Sequence, residues 1–252
     1  MNPEFVKRMI VGSDNQREIR EKFFKGDKIT EEEINNTIKE TPYHPEINWG
    51  EDRLTLLPWT ALEHLHTAIK DTVERGVEGD FIETGIWRGG ACILAKSIYN
   101  EISPERKVYA ADSFEGLPAP NVELFPQDNG DTHYLDPMLS VSLEQVTENF
   151  NKFGLVDDNL VFVKGWFKDS IPTLDIDKIS ILRLDGDMYE STIQVLDVLY
   201  EKLSKGGYLI IDDYHHRGCI AAIRDFRNKH GITSNIIKVD GDPLNEVHYW
   251  IK

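Results

Sequence analysis

The sequence predicts an α/β fold: a mostly parallel sheet of seven strands with helices on both faces, an antiparallel hairpin strand at the C-terminal end, and a helical N-terminal extension. Three observations carry this. Beyond residue 80, short runs rich in β-branched and apolar residues alternate with longer segments of helical period. The last two strand-like runs, Asn235–Val239 and Val247–Ile251, are joined by a short connection around Asp240-Gly241-Asp242-Pro243 with no room for a crossover helix, so they pair as a hairpin. Residues 1–54, by contrast, are charged and only weakly periodic.

Taken in order, the extension holds helical stretches near Gln16–Phe24 and Thr30–Ile38, the second opened by a capping box of Thr30 and Glu33. Residues 1–54 read as a lid, an oligomerisation arm or a solvated extension, and residues 55–252 as one domain. A helix from Pro58 to Arg75 places Leu62, Leu65, Ile69 and Val73 on one face. Asp80–Thr84 is a strand that Gly85 breaks, and Gly89-Gly90 opens an apolar helix through Tyr99. Val108–Ala111 is a short strand ending at Asp112. The polar loop Gly116–Pro137, punctuated by Pro118, Pro120, Pro126 and Gly130, is long enough that it either covers something or moves. Helix Leu143–Phe153, strand Leu160–Lys164, strand Ile179–Leu184, helix Glu190–Leu203, strand Tyr208–Ile211 and helix Cys219–Lys229 complete the alternation before the hairpin.

The charge balance narrows the partners. With 44 acidic against 28 basic residues the formal charge is −16, which opposes attachment to nucleic-acid phosphates or anionic lipid. No apolar run suggests a membrane helix, and Met1–Arg8 is not followed by the apolar stretch of a signal peptide, so a cytoplasmic location is the default expectation. Cys92 and Cys219 cannot build a disulfide framework and read as small buried residues.

In an open parallel sheet, ligands collect at the carboxyl ends of the strands. The first strand ends in Glu83-Thr84-Gly85-Ile86-Trp87-Arg88-Gly89-Gly90, a turn with little side-chain bulk whose helix N-terminus offers N–H groups to a carboxylate; a plain tight turn is an equal reading. Asp112 stands where a carboxylate accepts from ribose hydroxyls. Together they point to an adenosine cofactor, with Trp166 or Phe167 either against the adenine or in the core. Asp185 and Asp187 end the fourth strand, Asp212 and Asp213 the fifth; four such carboxylates repel one another unless a cation or proton sits among them. The oxygen-only donor set suits Mg²⁺, with Mn²⁺ or Ca²⁺ as alternatives, rather than zinc. Turn or N-cap aspartates are the bland alternative. Asp187, two residues past Asp185, is placed to stand beside an ion as a general base. His215 and His216 are candidates for acceptor contact or for surface loop positions, and Lys168, Arg183, Tyr189 and Arg217 for further polar contacts.

Four ordered segments, Glu83–Gly90, Ala111–Pro118, Leu182–Ser191 and Gly207–Tyr214, resemble the macrocin O-methyltransferase (TylF-type) family from about Thr55 to the C-terminus. The resemblance implies a Rossmann-like class I fold dependent on S-adenosylmethionine (SAM), and a Mg²⁺-assisted methylation of a deoxysugar hydroxyl on a natural product. By motif, Asp185, Asp212 and Asp213 match the metal ligands and Asp187 the base. Glu83, Gly85, Asp112, Ser113, Ser142, Phe167 and Lys168 fall at or beside SAM-contact positions; Ser142 with Gln145 is equally a capping box. Thr55-Leu56 lies where the family approaches the methionine end of SAM, although Leu57-Pro58-Trp59-Thr60 departs from its pattern. The implied acceptor is a small hydroxylated glycoside and the implied assembly a homo-oligomer. A catechol or other phenolic acceptor, and a non-catalytic SAM-binding protein, are the competing readings.

Overall fold

The computed structural model describes residues 1–12, 16–39, 53–242 and 246–252. Five parallel strands form the body of the sheet: β1 (Asp80–Thr84), β2 (Val108–Asp112), β3 (Leu160–Lys164), β4 (Ile179–Leu184) and β5 (Leu203–Ile211). With β6 (Ile237–Lys238) and β7 (His248–Ile251) the order is β3-β2-β1-β4-β5-β7-β6. β7 runs antiparallel to both β5 and β6, the hairpin arrangement expected from the short connection. The first hairpin strand is shorter than predicted. β5 is longer, starting at Leu203, which pairs with Ile179, and continuing through Gly206 and Gly207, which exchange backbone hydrogen bonds with Lys252; glycine-rich sequence alone does not advertise this pairing.

Alternation along the strands divides the core between two faces. Phe81, Ala110, Ile181 and Ile210 point to one side; Ile82, Tyr109, Leu182 and Leu209 point to the other. The first face is covered by α4 (Trp59–Glu74), α5 (Gly90–Ile102) and α6 (Leu143–Lys152), the second by α8 (Tyr189–Leu199) and α9 (Arg217–His230), with the single-turn α7 (Phe167–Ser170) near the strand ends. α8 ends at Leu199 and a 3₁₀ turn carries the chain into β5, so the helix is shorter than the predicted Glu190–Leu203.

Among the described residues, the N-terminal region holds three helices rather than two: α1 (Pro3–Val11), α2 (Arg17–Lys25) and α3 (Glu31–Lys39). The capping box is present, with Glu33 N–H donating to Thr30 Oγ1 at 3.2 Å and Thr30 N–H to Glu33 Oε2 at 2.8 Å. α1 is not a solvated segment. Asn2 caps it, Phe5, Val6, Met9 and Ile10 are buried in the same core as α4 and α5, and buried Lys7 is satisfied by Glu4 and Glu63. Charge at Lys7 and Arg8 masks an apolar face that recurs every fourth residue. Among the described residues, no helix is long and apolar enough to cross a membrane.

Candidate active site

The strand order reverses between β1 and β4, where an open sheet parts its connections and leaves a crevice at its carboxyl edge. Hydrogen bonding continues one residue beyond the strands: Gly85 N–H to Ala111 O at 2.8 Å, Asp185 N–H to Thr84 O at 2.9 Å, and Asp212 N–H to Leu184 O at 2.9 Å. Gly85, Asp112, Asp185 and Asp212 therefore stand side by side on a fixed edge. Gly85 adopts φ +87°, and a Cβ there would lie 1.6 Å from the Asp185 carbonyl oxygen, so only glycine lets the two strand ends approach. A cavity of about 500 Å³ opens on this edge.

The carboxylates are brought together as predicted, but part of the cation expected among them is protein. Arg183, in β4 and 2% exposed, forms ion pairs with Glu83, with Asp185 Oδ2 at 2.7 Å and with Asp212 Oδ1 at 2.5 Å. The sequence places Arg183 only among polar contacts near a strand end; its position two residues before Asp185 puts it on the same side of the strand. One guanidinium does not neutralise the cluster. Asp185, Asp212 and Asp213 each offer an oxygen within 4.8 Å of the others. Burial, and then the charges of Asp187, Asp185 and Asp212, drive the Asp213 carboxyl well above its usual range. Asp212 is raised by burial against the opposing pull of Arg183. Buried Glu83 is pushed to about 7 by desolvation, again opposed by Arg183, and accepts a bond from the Cys92 thiol at 2.8 Å. Both cysteines are buried and free, as expected.

Asp187 sits at φ +57°, a conformation rarely adopted outside glycine, asparagine and aspartate. Its N–H donates to Asp213 Oδ2 at 2.9 Å, so the backbone of the candidate base is keyed to a candidate metal ligand. Burial and the neighbouring Asp185 push its carboxyl to about 7. His216 Nε2 lies 3.3 Å from Asp187 Oδ1, and burial followed by the charges of His215 and His133 pushes His216 down to about 4. Both His215 and His216 line the cavity. His133, which the sequence did not single out, joins them from the long loop, its ring 4.8 Å from that of His216. Burial pulls His133 down, but its bond to Asp131 and the Asp187 charge leave it above its ordinary value.

Thr55, Leu56, Glu83, Gly85, Asp112, Ser113, Phe167 and Lys168 all line the cavity, as does Trp166. Ser142 does not. It is exposed, and its hydroxyl accepts Gln145 N–H at 3.2 Å to cap α6. Asp112 is engaged by the protein itself: one oxygen accepts Ile86 N–H at 2.8 Å and Trp87 N–H at 3.4 Å, the other Phe114 N–H at 2.8 Å. It thus clamps the glycine turn to the end of β2. Of the helix N-terminus expected to offer N–H groups to a carboxylate, the Gly90 N–H is taken by Leu54 O at 2.9 Å, and Leu54 N–H donates to Ile10 O at 2.8 Å. Through these bonds α1 fixes the Thr55–Leu56 wall. Tyr189 and Arg217 do not line the cavity; the Tyr189 hydroxyl donates to Asp225 at 3.4 Å.

The long loop covers the site. Buried Asp128 accepts the N–H groups of Tyr189 at 2.6 Å and Glu190 at 2.9 Å, and presses so close to Gly218 that a Cβ there would meet its carboxylate at 2.5 Å. It therefore pins the loop to the starts of α8 and α9. At the other end, Trp87 Nε1 donates to Met138 O at 2.8 Å.

A crevice at the sheet reversal, with a glycine turn on one side and clustered strand-end carboxylates on the other, accords with known proteins. The profile of the macrocin-O-methyltransferase (TylF) family matches residues 11–251. This chain belongs to the macrocin O-methyltransferase family. The match begins well before Thr55, so the family likeness takes in α2 and α3 as well, whereas α1 lies before it except for Val11. The chain is 37% identical over 234 residues to demethyldecarbamoylnovobiocin O-methyltransferase of Streptomyces niveus, covering 92% of this chain and 85% of that protein. It is 38% identical over 196 residues to 8-demethyl-8-(2,3-dimethoxy-alpha-L-rhamnosyl)-tetracenomycin-C 4'-O-methyltransferase of Streptomyces olivaceus, covering 77% and 75%. The solved O-methyltransferase NovP superposes with a TM-score of 0.71 at 37% identity, covering 79% of this chain and 82% of that one. Family and fold make this macrocin-type chain a SAM-dependent O-methyltransferase of the class I fold.

Proposed function

We propose that this chain methylates a sugar hydroxyl of a glycosylated natural product, a deoxysugar being the expected class, with Asp185, Asp212 and Asp213 holding Mg²⁺ and Asp187 acting as general base. The observation that carries the reading is the convergence of three metal-type carboxylates and a fourth, separately held carboxylate on one cavity. The donor set fits a hard divalent ion. It is all oxygen, it gathers within 4.8 Å, and Glu83, Asp185, Asp187, Asp212 and Asp213 outnumber the single Arg183 charge. The cavity fits SAM in kind: a glycine turn and apolar walls from Leu56 and Phe167, with polar groups at Ser113 and Lys168.

When bound, SAM supplies the electrophilic methyl, and a divalent ion supplies positive charge that acidifies and orients the acceptor hydroxyl. Arg183 holds Asp185 and Asp212 in place from beneath. Asp187 accepts the hydroxyl proton on its carboxylate, and its bond to Asp213 sets where that carboxylate stands. His216 Nε2 stands 3.3 Å from that carboxylate and, pushed down to about 4, adds no positive charge there near pH 7. Asp128 pins the long loop beside the cavity by accepting the Tyr189 and Glu190 N–H groups.

Relatives whose names specify glycosides favour a sugar over a catechol acceptor. In the test, Asp187→Asn lowers kcat by about 10²–10⁴-fold while calorimetry shows SAM binding as in the wild type. Wild-type kcat in that variant would remove Asp187 from the reaction.

A further inference from the structure

Beyond the oxygen-only set, a second group of donors converges on the same cavity. His133, Asp187 and His216 each offer one ligand atom within 4.8 Å of the others. Donors bound at about 2.0–2.1 Å around a tetrahedral ion stand roughly 3.4 Å apart. The pair His216 Nε2 and Asp187 Oδ1, at 3.3 Å, is already at that separation. His133 needs only a small closure of its loop to join them.

His133 is also oriented as a ligand. Its Nδ1 lies 3.1 Å from both oxygens of Asp131, which leaves Nε2 as the nitrogen open to an ion. A carboxylate behind an imidazole fixes its tautomer and raises its basicity, the arrangement found behind metal-ligating histidines. The rings of His133 and His216 cross at 84°, so they do not stack face to face. Their side chains, 39% and 26% exposed, leave a path for an ion and room for water in a fourth position. Two imidazoles and one carboxylate suit a borderline ion such as Zn²⁺, whereas the three neighbouring aspartates suit a hard one.

We infer that His133, Asp187 and His216 form a second, zinc-type site whose occupation closes the long loop onto the start of α9 and inhibits methyl transfer by capturing Asp187. The inhibitory half rests on Asp187 being the base; the binding half does not. No covalent step is involved.

The test uses the full chain in excess Mg²⁺ titrated with Co²⁺, a spectroscopic stand-in for Zn²⁺. One equivalent of Co²⁺ should give the intense visible absorption of a four-coordinate ion. His133→Gln and His216→Gln should each abolish that band, Asp131→Asn should weaken Co²⁺ binding by about tenfold or more, and Asp185→Asn should keep it. Circular dichroism and SAM affinity confirm that each variant is folded. Zn²⁺ added beside Mg²⁺ should suppress methyl transfer in the wild type and less so in His133→Gln. A band that persists in both histidine variants, or that never appears, overturns the site. A band lost with His133→Gln in a protein that Zn²⁺ does not inhibit keeps the site and overturns the capture of the base.

Discussion

Arg183 is the residue whose role changes most between sequence and structure. Its guanidinium is buried among Glu83, Asp185 and Asp212, and breaking such an arrangement strands the acids it serves. Arg183→Met should lower the unfolding free energy by about 3–5 kcal/mol, read by urea denaturation; an unchanged midpoint would show that the acids do not depend on it. Gly85 makes the complementary point for backbone. With φ +87° and the Asp185 carbonyl 1.6 Å from an ideal Cβ, Gly85→Ala must move one strand end, at a cost of roughly 2–5 kcal/mol. Normal stability in that variant would contradict the close approach. The aspartates were legible because strand ends mark them and like charges demand a partner. Arg183 was not, because a charge inside a strand reads as a polar contact until the neighbours of that strand are known.

At the scale of elements, α1 and the long loop act on the site from a distance. Phe5 is 1% exposed, and α1 holds Leu54 through the Ile10 carbonyl, which in turn fixes the Thr55–Leu56 wall. Phe5→Ala should cost about 3–5 kcal/mol and weaken SAM binding as measured by calorimetry; full stability would detach α1 from the core. α4 carries a different consequence. Both ring nitrogens of His64 are buried without a hydrogen-bond partner among the described residues, its ring lies 4.4 Å from that of Tyr249, and burial pushes it to about 4. The unfolded chain binds this proton first as pH falls, so the neutral ring's full contribution is present above pH 6.5 and is lost progressively down to about pH 4. The loss amounts to at most roughly 3 kcal/mol. His64→Phe should flatten that side of the thermal-stability profile; an identical acid slope in variant and wild type would refute it. The strand and helix order was readable from periodicity, but α1 was hidden by Lys7 and Arg8, whose charges are satisfied only in the folded chain. The paths of Asp128 and His133 lie in a loop without periodicity, so neither could be placed from the sequence.

For the whole molecule, the sheet order explains why distant segments meet: the reversal between β1 and β4 puts a cofactor-side glycine turn beside two acid-bearing strand ends. Alternation and strand-end chemistry give the parallel strands and the groups at their ends, but not that β4 lies beside β1. Nor do they give the clamps on Asp112 and Gly90, or the capping role of Ser142, because these depend on which donor fills each acceptor. In the proposed reaction, a divalent ion on the oxygen-only donor set links cofactor and acceptor. The most direct measurement is methyl transfer from labelled SAM to a panel of deoxysugar glycosides and catechols, run with chelator and again after Mg²⁺ is restored. Turnover of a glycoside should disappear with chelator and return with Mg²⁺; full turnover in chelator would contradict a divalent ion in the reaction.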